Sequence, residues 1–408
     1  MSANTATGVP AHVPPALVFG FDQFTDPEFH ERPFEVLRRV RAQAPPIFFI
    51  RPAQPFFPRG TWCMTRAEDV REALQHPEIF TREDIMGESP FSRRMVPLEL
   101  EAPEHGKYRA ILNPVFSPKA VDRMDHDVRA ICADLIDRIA ESGECEFLRD
   151  FAHPFPVTVF MKLMGLPMQM QATFVEWVHV AHTAQTREDA MAGTKVVADY
   201  LREALAERRR SPRDDLISAI AHAKVDGRPI DPDYAHDMCF LLFLAGLDTV
   251  TAGLMHIFSW LASHPDRKQE LIDEPALIPN AIEELLRYHA WVPSQRTVKK
   301  DVEFRGVTMK YGDHVHLPLG FPSNDPALLA DAERIDFRRE SIAHFAFASG
   351  VHRCAGSHLA RRELRVAVAE WLRRMPDFHL QPGTGVRYVT TLMFQPQALH
   401  LRWTPGRR

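Results

Sequence analysis

Phe347-Ala348-Ser349-Gly350-Val351-His352-Arg353-Cys354-Ala355-Gly356 is the stretch on which the reading of this chain turns. It runs into Leu359-Ala360-Arg361 and then a segment where Leu364, Val368, Trp371 and Met375 recur at helical spacing, with Arg362, Glu363 and Arg365 off that stripe. A thiol at the start of a helix lies where backbone N–H groups and the positive end of the helix dipole favour the thiolate, the form that ligates metal. Gly350 and Gly356 let the backbone bend sharply and come within contact distance of a flat cofactor, which a Cβ would hold away. Two blander readings of Cys354 stand beside this one: a buried, inert thiol, and a zinc ligand. The second has no other cysteine at short spacing to support it.

The segment resembles the haem-thiolate signature of the cytochromes P-450, in which Phe, Gly, His or Arg, Cys, Gly and a Leu-Ala-Arg tail recur at these spacings. The resemblance implies a mainly α protein, a single helix-rich domain with small peripheral β-sheets, binding haem b with Cys354 as the axial ligand. Thiolate ligation of this kind favours O–O cleavage. Phe347, Gly350 and Gly356 then belong to the cofactor loop. The chain departs from the family in one place, with Ala348 directly after Phe347 where a glycine is usual.

Length and composition set the outer bounds. At 408 residues the chain exceeds the usual size of one core, yet no Gly/Ser-rich or single-charge run divides it. The expectation is a flexible arm over residues 1–14, with Pro10 and Pro14 among small residues, and one catalytic domain over 15–408. Five scattered cysteines fit a reducing compartment, and no basic-then-apolar leader opens the chain, so the expected location is the cytoplasm. The apolar run Met238 to Leu247 is about half of a bilayer span, which predicts no membrane. A net charge of -5 gives no reason to expect nucleic acid.

Helical periodicity covers most of the chain, for example Val121 to Ile139, Ala192 to Glu207 and Arg267 to His289. Strand-like alternation is confined to Ile47–Ile50, Thr61–Met64, a hairpin from Val302 through Tyr311-Gly312-Asp313 to Leu317, and Leu399 to Trp403.

Between Met238 and Ala262 the sequence is apolar on almost every side and predicts a buried helix, with Asp248 and Thr249 in its middle. A carboxylate there is costly unless paired or used. Pattern alone leaves open a turn at Gly246-Leu247-Asp248-Thr249, with Asp248 capping a second helix. Ala245-Gly246-Leu247-Asp248-Thr249 resembles the family's oxygen-activation motif. The resemblance implies a continuous helix whose Thr hydroxyl bonds the carbonyl four residues back, while Asp248 relays protons to dioxygen.

Glu284-Leu285-Leu286-Arg287 places opposite charges at i and i+3. Helical geometry points both away from the apolar face of Ile282, Leu285 and Leu286, which predicts an exposed pair of small worth. The family's Glu-x-x-Arg motif implies the reverse, a buried network with Arg339 as third member. Ala102-Pro103-Glu104-His105 opens a helix with His105 and Arg109 on one face. By resemblance these two, with Arg296 and His352, hold the haem propionates. Ser294 stands near Arg296 where the camphor-hydroxylating branch, the branch this chain resembles over most of its length, has an acid.

That branch anchors a ketone with a tyrosine, and here Arg93 falls in its place. The pocket residues expected are Met86, Phe91, Met95, Leu98, Leu241, Leu244, Val292, Leu392 and Met393, each of which also reads as plain core. They suit a small apolar substrate, a terpenoid or norisoprenoid, oxidised with O2. Since no flavin or nicotinamide fingerprint is evident, electrons come from an iron-sulfur ferredoxin and its NAD(P)H-dependent reductase. Arg353, Arg361, Arg362, Arg365, Lys107 and Arg109 gather positive charge to dock an acidic partner. Two alternatives are a peroxide-driven haem-thiolate enzyme, against which the intact Asp248-Thr249 pair argues, and a non-catalytic haem protein that binds gas or ligand.

Overall fold

The fold is organised around one helix, Pro232–Ser263, 32 residues long and buried on most sides. Asp231 starts it: its carboxylate accepts the Asp233 and Tyr234 N–H groups, and Pro232 takes the first position, where no N–H is needed. The helix runs unbroken through Gly246 to Thr249, so the turn left open by pattern alone is not formed. By length and apolar character it could cross a membrane, but 78% of its most apolar window is buried inside the protein, as expected of a core helix.

The computed structural model describes residues 8–406 apart from 22, 25, 53–58, 85, 87–92, 184–186 and 391–392, and the backbone alone of 178–183, 187, 189 and 190. Two glycines bring neighbours onto the long helix. A Cβ on Gly246 would lie 2.6 Å from the Phe160 ring, and one on Gly253 would lie 2.6 Å from the Trp291 ring and 3.3 Å from Leu364. Leu364 belongs to Ser357–Arg374, the helix that follows Cys354, so Gly253 lets the cysteine-bearing element pack directly on the long helix. Buried Leu364, Val368 and Trp371 form its inner face.

The largest sheet has the strand order Ile47–Ile50, Thr61–Met64, His314–Leu317, Ser294–Val298 and Phe80–Thr81. All its pairings are antiparallel except that of Val315 and His316 with Trp62 and Cys63. This corrects the predicted hairpin. The tight turn falls at Arg305-Gly306, both at positive φ, joining Val302–Phe304 to Val307–Met309. Beyond Tyr311-Gly312-Asp313 the chain passes into the larger sheet instead.

Two predicted helices are also split. Pro118–Arg123 precedes Asp125–Ile139, and Pro265–Asp273 is separated from Ile278–His289 by a short turn that Pro275 opens. Within residues 8–14, Val13 is buried and His12 Nε2 lies 2.8 Å from Asp313 Oδ2, which also accepts the Trp62 indole N–H. Residues 1–7 lie outside the described residues.

Candidate haem-thiolate site

Cys354 stands three residues ahead of Ser357, the first residue of its helix. Its backbone N–H donates to the Phe347 carbonyl at 3.0 Å, closing the loop. Although Cys354 counts as exposed, burial of its sulfur pushes the thiol up, against the Gly356 N–H and the charges of Arg109, Arg353 and Arg361, which pull it down. The groups at the helix start thus act toward the thiolate, and burial acts against it. A coordinated metal deprotonates such a thiol outright.

The two loop glycines separate in role. Gly350 sits at φ +73, and a Cβ there would lie 2.4 Å from the Leu74 carbonyl oxygen. It serves the turn and its packing on the neighbouring helix end. Among the described residues, no atom beyond Gly356's own chain neighbours lies within 4 Å of a Cβ built there. The Phe347 ring is covered by the Arg361 guanidinium, 4.4 Å from its centroid. Glu283 fixes that guanidinium at 2.6 and 2.9 Å, and also takes Arg365 at 3.0 Å and His344 at 3.2 Å. Burial alone would raise Glu283, but hydrogen bonds from His344 and Arg361 reverse this and hold it at about 2.

Four cationic or N–H groups lie on the same side. Arg109 donates to the Arg353 carbonyl at 2.7 Å, tying its helix to the residue before the cysteine. His105 and His352 meet edge to face, ring centroids 4.6 Å apart. Burial, then His352 and Arg109, push His105 down to about 4, so it offers an N–H rather than a charge. His352 Nε2 pairs with Glu101 Oε2 at 2.9 Å, while Glu101 Oε1 accepts from Arg82 N–H and Thr81 Oγ1. Arg296 Nη1 donates to Ser294 Oγ at 2.8 Å and to the Gln295 carbonyl. Its Nη2 and the His352 Nδ1 are buried without a hydrogen-bond partner among the described residues. Burial pushes Arg296 down to about 9, the mark of a guanidinium short of anionic company.

A thiol at a loop end, beside buried donors that lack acceptors, fits a flat metal cofactor bearing carboxylates. Glu101 and Arg82 escaped the sequence reading. Glu101 lies four residues before His105, and that spacing was the available signal.

Between residues 235 and 259 the long helix leaves Leu241, Ala245, Gly246 and Thr249 unburied, and Leu241, Ala245 and Thr249 form a stripe on successive turns of one face. Thr249 Oγ1 donates to the Ala245 carbonyl at 3.1 Å, and the Trp291 indole N–H donates to the Thr249 carbonyl at 3.0 Å. Asp248 is buried behind the stripe.

The expected pocket residues divide. Leu241, Met95, Leu98 and Val292 are partly accessible. Leu244 is buried in the main core cluster. Met86 Sδ lies against Gly312. Met393 lines a cleft with Trp291, Phe29 and Leu37 that includes no residue of the cysteine loop. Phe91 and Leu392 lie outside the described residues. Arg93 turns to the long helix and bonds Asp237 Oδ1 at 2.7 Å.

Glu284 and Arg287 are both 0% exposed, against the facing argument. Arg287 donates to Glu284 at 2.8 and 2.9 Å, to Asn324 Oδ1 at 2.8 Å and to the Ala332 carbonyl at 2.7 Å, and Arg339 adds a 2.9 Å bond to Glu284. The expected docking charges are largely neutralised at home. Arg361 and Arg365 serve Glu283, Arg362 serves Asp122 and Asp125, and Lys107 serves Glu104 and Asp226. Arg353 is exposed.

Known proteins share this architecture. The sequence pattern of the family described as Cytochrome P450 matches residues 10–397. A probable cytochrome P450 127A1 of Sinorhizobium fredii is 37% identical over 384 residues, covering 92% of each chain. A steroid C26-monooxygenase of Mycobacterium tuberculosis is 31% identical over 83% of this chain and 93% of its own. The crystal structure of CYP101J2 superposes with a TM-score of 0.87 at 30% identity, covering 97% of this chain and 99% of that one. The chain belongs to the cytochrome P450 family, and as a member it is a haem-dependent monooxygenase.

Proposed function

We propose that this enzyme hydroxylates a small apolar substrate of the terpenoid or norisoprenoid class, with haem b bound through Cys354. Electrons come from a cytoplasmic iron-sulfur ferredoxin and its NAD(P)H-dependent reductase. The observation that carries the substrate class is the stripe Leu241, Ala245, Thr249, which offers apolar surface and one hydroxyl, while Arg93 is drawn away to Asp237. A pocket of that kind binds by shape and excluded water, with little polar anchoring. The relative named as a steroid monooxygenase supports an apolar, terpenoid-derived class in general.

The residues divide the work. Arg109, Arg296, His105 and His352 are placed to receive two carboxylates, and the buried nitrogens of Arg296 and His352 have acceptors to gain. Haem, when bound, supplies the activation of dioxygen. Thr249 presents a hydroxyl that cannot ionise at neutral pH, and Asp248 beside it can take up and release a proton. Trp291 fixes the carbonyl behind that hydroxyl.

Because most of the docking arginines already have carboxylate partners, ferredoxin turnover is expected to fall only gently with added salt. The deciding experiment is a panel of terpenoids, norisoprenoids, steroids and macrolides, read by the spin-state shift of the ferric protein and then by product analysis. Hydroxylated product from a terpenoid or norisoprenoid supports the proposal. Shifts and products confined to steroids or macrolides overturn the substrate class.

A further inference from the structure

Asp248 has a neighbour that nothing in the local sequence announces. His153 Nε2 lies 3.3 Å from Asp248 Oδ1. The histidine reaches that place because of how its own segment is wound. Leu148–Ala152 forms a turn of π-helix, closed by the His153 N–H donating to the Leu148 carbonyl at 2.9 Å. Such wide turns rotate the following residue out of ordinary helical register and recur at functional sites. The next helix, Pro154–Met164, then starts directly at its proline.

A second contact holds the segment in place. Thr251 Oγ1 donates to the Ala152 carbonyl at 3.1 Å, so residues 152 and 153 are fastened to the long helix at 251 and 248, one turn apart. The pair also grades outward: the Asp248 side chain is 8% exposed and that of His153 is 19% exposed.

We infer that His153 is the solvent-side station of the proton supply to Asp248. The inference rests on the monooxygenase reading, in which each turnover draws protons through Asp248. An imidazolium gives its Nε2 proton to Asp248 Oδ1; the N–H bond breaks, an O–H bond forms, and the ring is left neutral. A hydronium ion or buffer acid in solvent then returns a proton to the ring, leaving water or the buffer base, and no electron moves. A lysine or arginine in this place would pair with the carboxylate as a fixed charge, whereas an imidazole has two ring nitrogens, one to give a proton and one to receive it. His153 acts through Asp248 and is a positioning residue.

Two measurements on the haem-loaded protein test this. In protein carrying isotopically labelled histidine, the His153 Nε2 nitrogen resonance of the ferrous carbon monoxide form should move in Asp248→Ala and stay put in Thr249→Ala. An unmoved resonance in Asp248→Ala removes the contact and the inference with it. The second measurement is oxygen consumption driven by ferredoxin, reductase and NADH, with the panel compound that gives the largest spin-state shift. His153→Gln keeps a donor but cannot carry a proton, and should be slowed about 10-fold, less than the roughly 10²–10⁴-fold of an acid–base group that acts directly, because His153 acts through Asp248. It should also show a larger solvent isotope effect than the wild type. His153→Gln at wild-type rate with an unchanged isotope effect would show that the histidine merely braces the helix. A wild type that consumes no oxygen instead strikes at the proposed function, and the nitrogen resonance still judges the His153–Asp248 pair by itself.

Discussion

Around Cys354 the protein is held by charge, whereas along the long helix it is held by shape. On the cysteine side Glu283 gathers Arg361, Arg365 and His344, and Glu284 gathers Arg287 and Arg339. On the other side Gly246 and Gly253 admit the rings of Phe160 and Trp291 to the helix surface. The difference assigns each side a task. Ionic anchors fix one geometry and fail together when a partner is lost, which suits a ligand loop that must not move. Apolar packing can be re-cut residue by residue, which suits a surface that chooses substrates.

The harshest test of this contrast is Arg287→Ala. It leaves the Glu284 carboxylate buried with only Arg339 and the Asp336 N–H beside it, at a cost of about 3–5 kcal/mol. The urea midpoint of the haem-loaded protein measures it. A loss below about 1 kcal/mol, the worth of an exposed pair, would mean that the cysteine side is not held ionically.

Acid probes the second anchor. Glu283 is held at about 2, below the ordinary 4.5 of a glutamate. A depressed carboxylate contributes stability above its unfolded pKa and loses it as pH falls through the folded one. Its share, up to about 3 kcal/mol, should therefore disappear between pH 4.5 and 2. Stability measured over that window should fall less steeply in Glu283→Gln than in the wild type. Parallel slopes would take Glu283 out of the account.

On the other side, Gly246→Ala drives a methyl to 2.6 Å from the Phe160 ring. The overpacking should cost about 1–3 kcal/mol, less than the loss of Arg287. If it costs more, the ranking of charge over shape is inverted. Thr249→Ala removes a hydroxyl without adding bulk, so its signature is chemical. Substrate and oxygen should still bind, while product per reductant consumed falls several-fold, on the order of 1 kcal/mol. Full coupling in this variant would deny Thr249 its role.

What could be read in advance follows the same division. The cysteine loop was legible because its residues are neighbours in sequence, and the long helix because an apolar run with a Pro232 start has few other outcomes. Facing arguments failed at Glu284 and Arg287 because the groups that bury them, Asn324, Ala332 and Arg339, lie 37, 45 and 55 residues from their partners. The arginine cluster was counted correctly but not its carboxylates, since Asp122 and Asp125 approach Arg362 from two other helices. His153 and Glu101 were missed for the same reason: each becomes functional only through a contact about a hundred or more residues away.

Ala348 is where identity was noted but conformation was hidden. It sits at φ +55, a left-handed position, which gives the physical reason that related loops carry glycine there. A non-glycine residue in that region bears roughly 1–2 kcal/mol of strain. Glycine would relieve it but gain freedom in the unfolded chain, which returns about 0.4–1 kcal/mol. The net expected for Ala348→Gly is a stabilisation of about 0.5 kcal/mol, seen as a small rise in urea midpoint with the carbon monoxide spectrum unchanged. The cysteine side should absorb this change without moving Cys354, because the Cys354 N–H bond to the Phe347 carbonyl and the Arg361 cover on the Phe347 ring are independent of Ala348's side chain. A shifted carbon monoxide band would show that the ionic anchors do not hold the ligand loop alone, and that strain at Ala348 helps to set the sulfur's position.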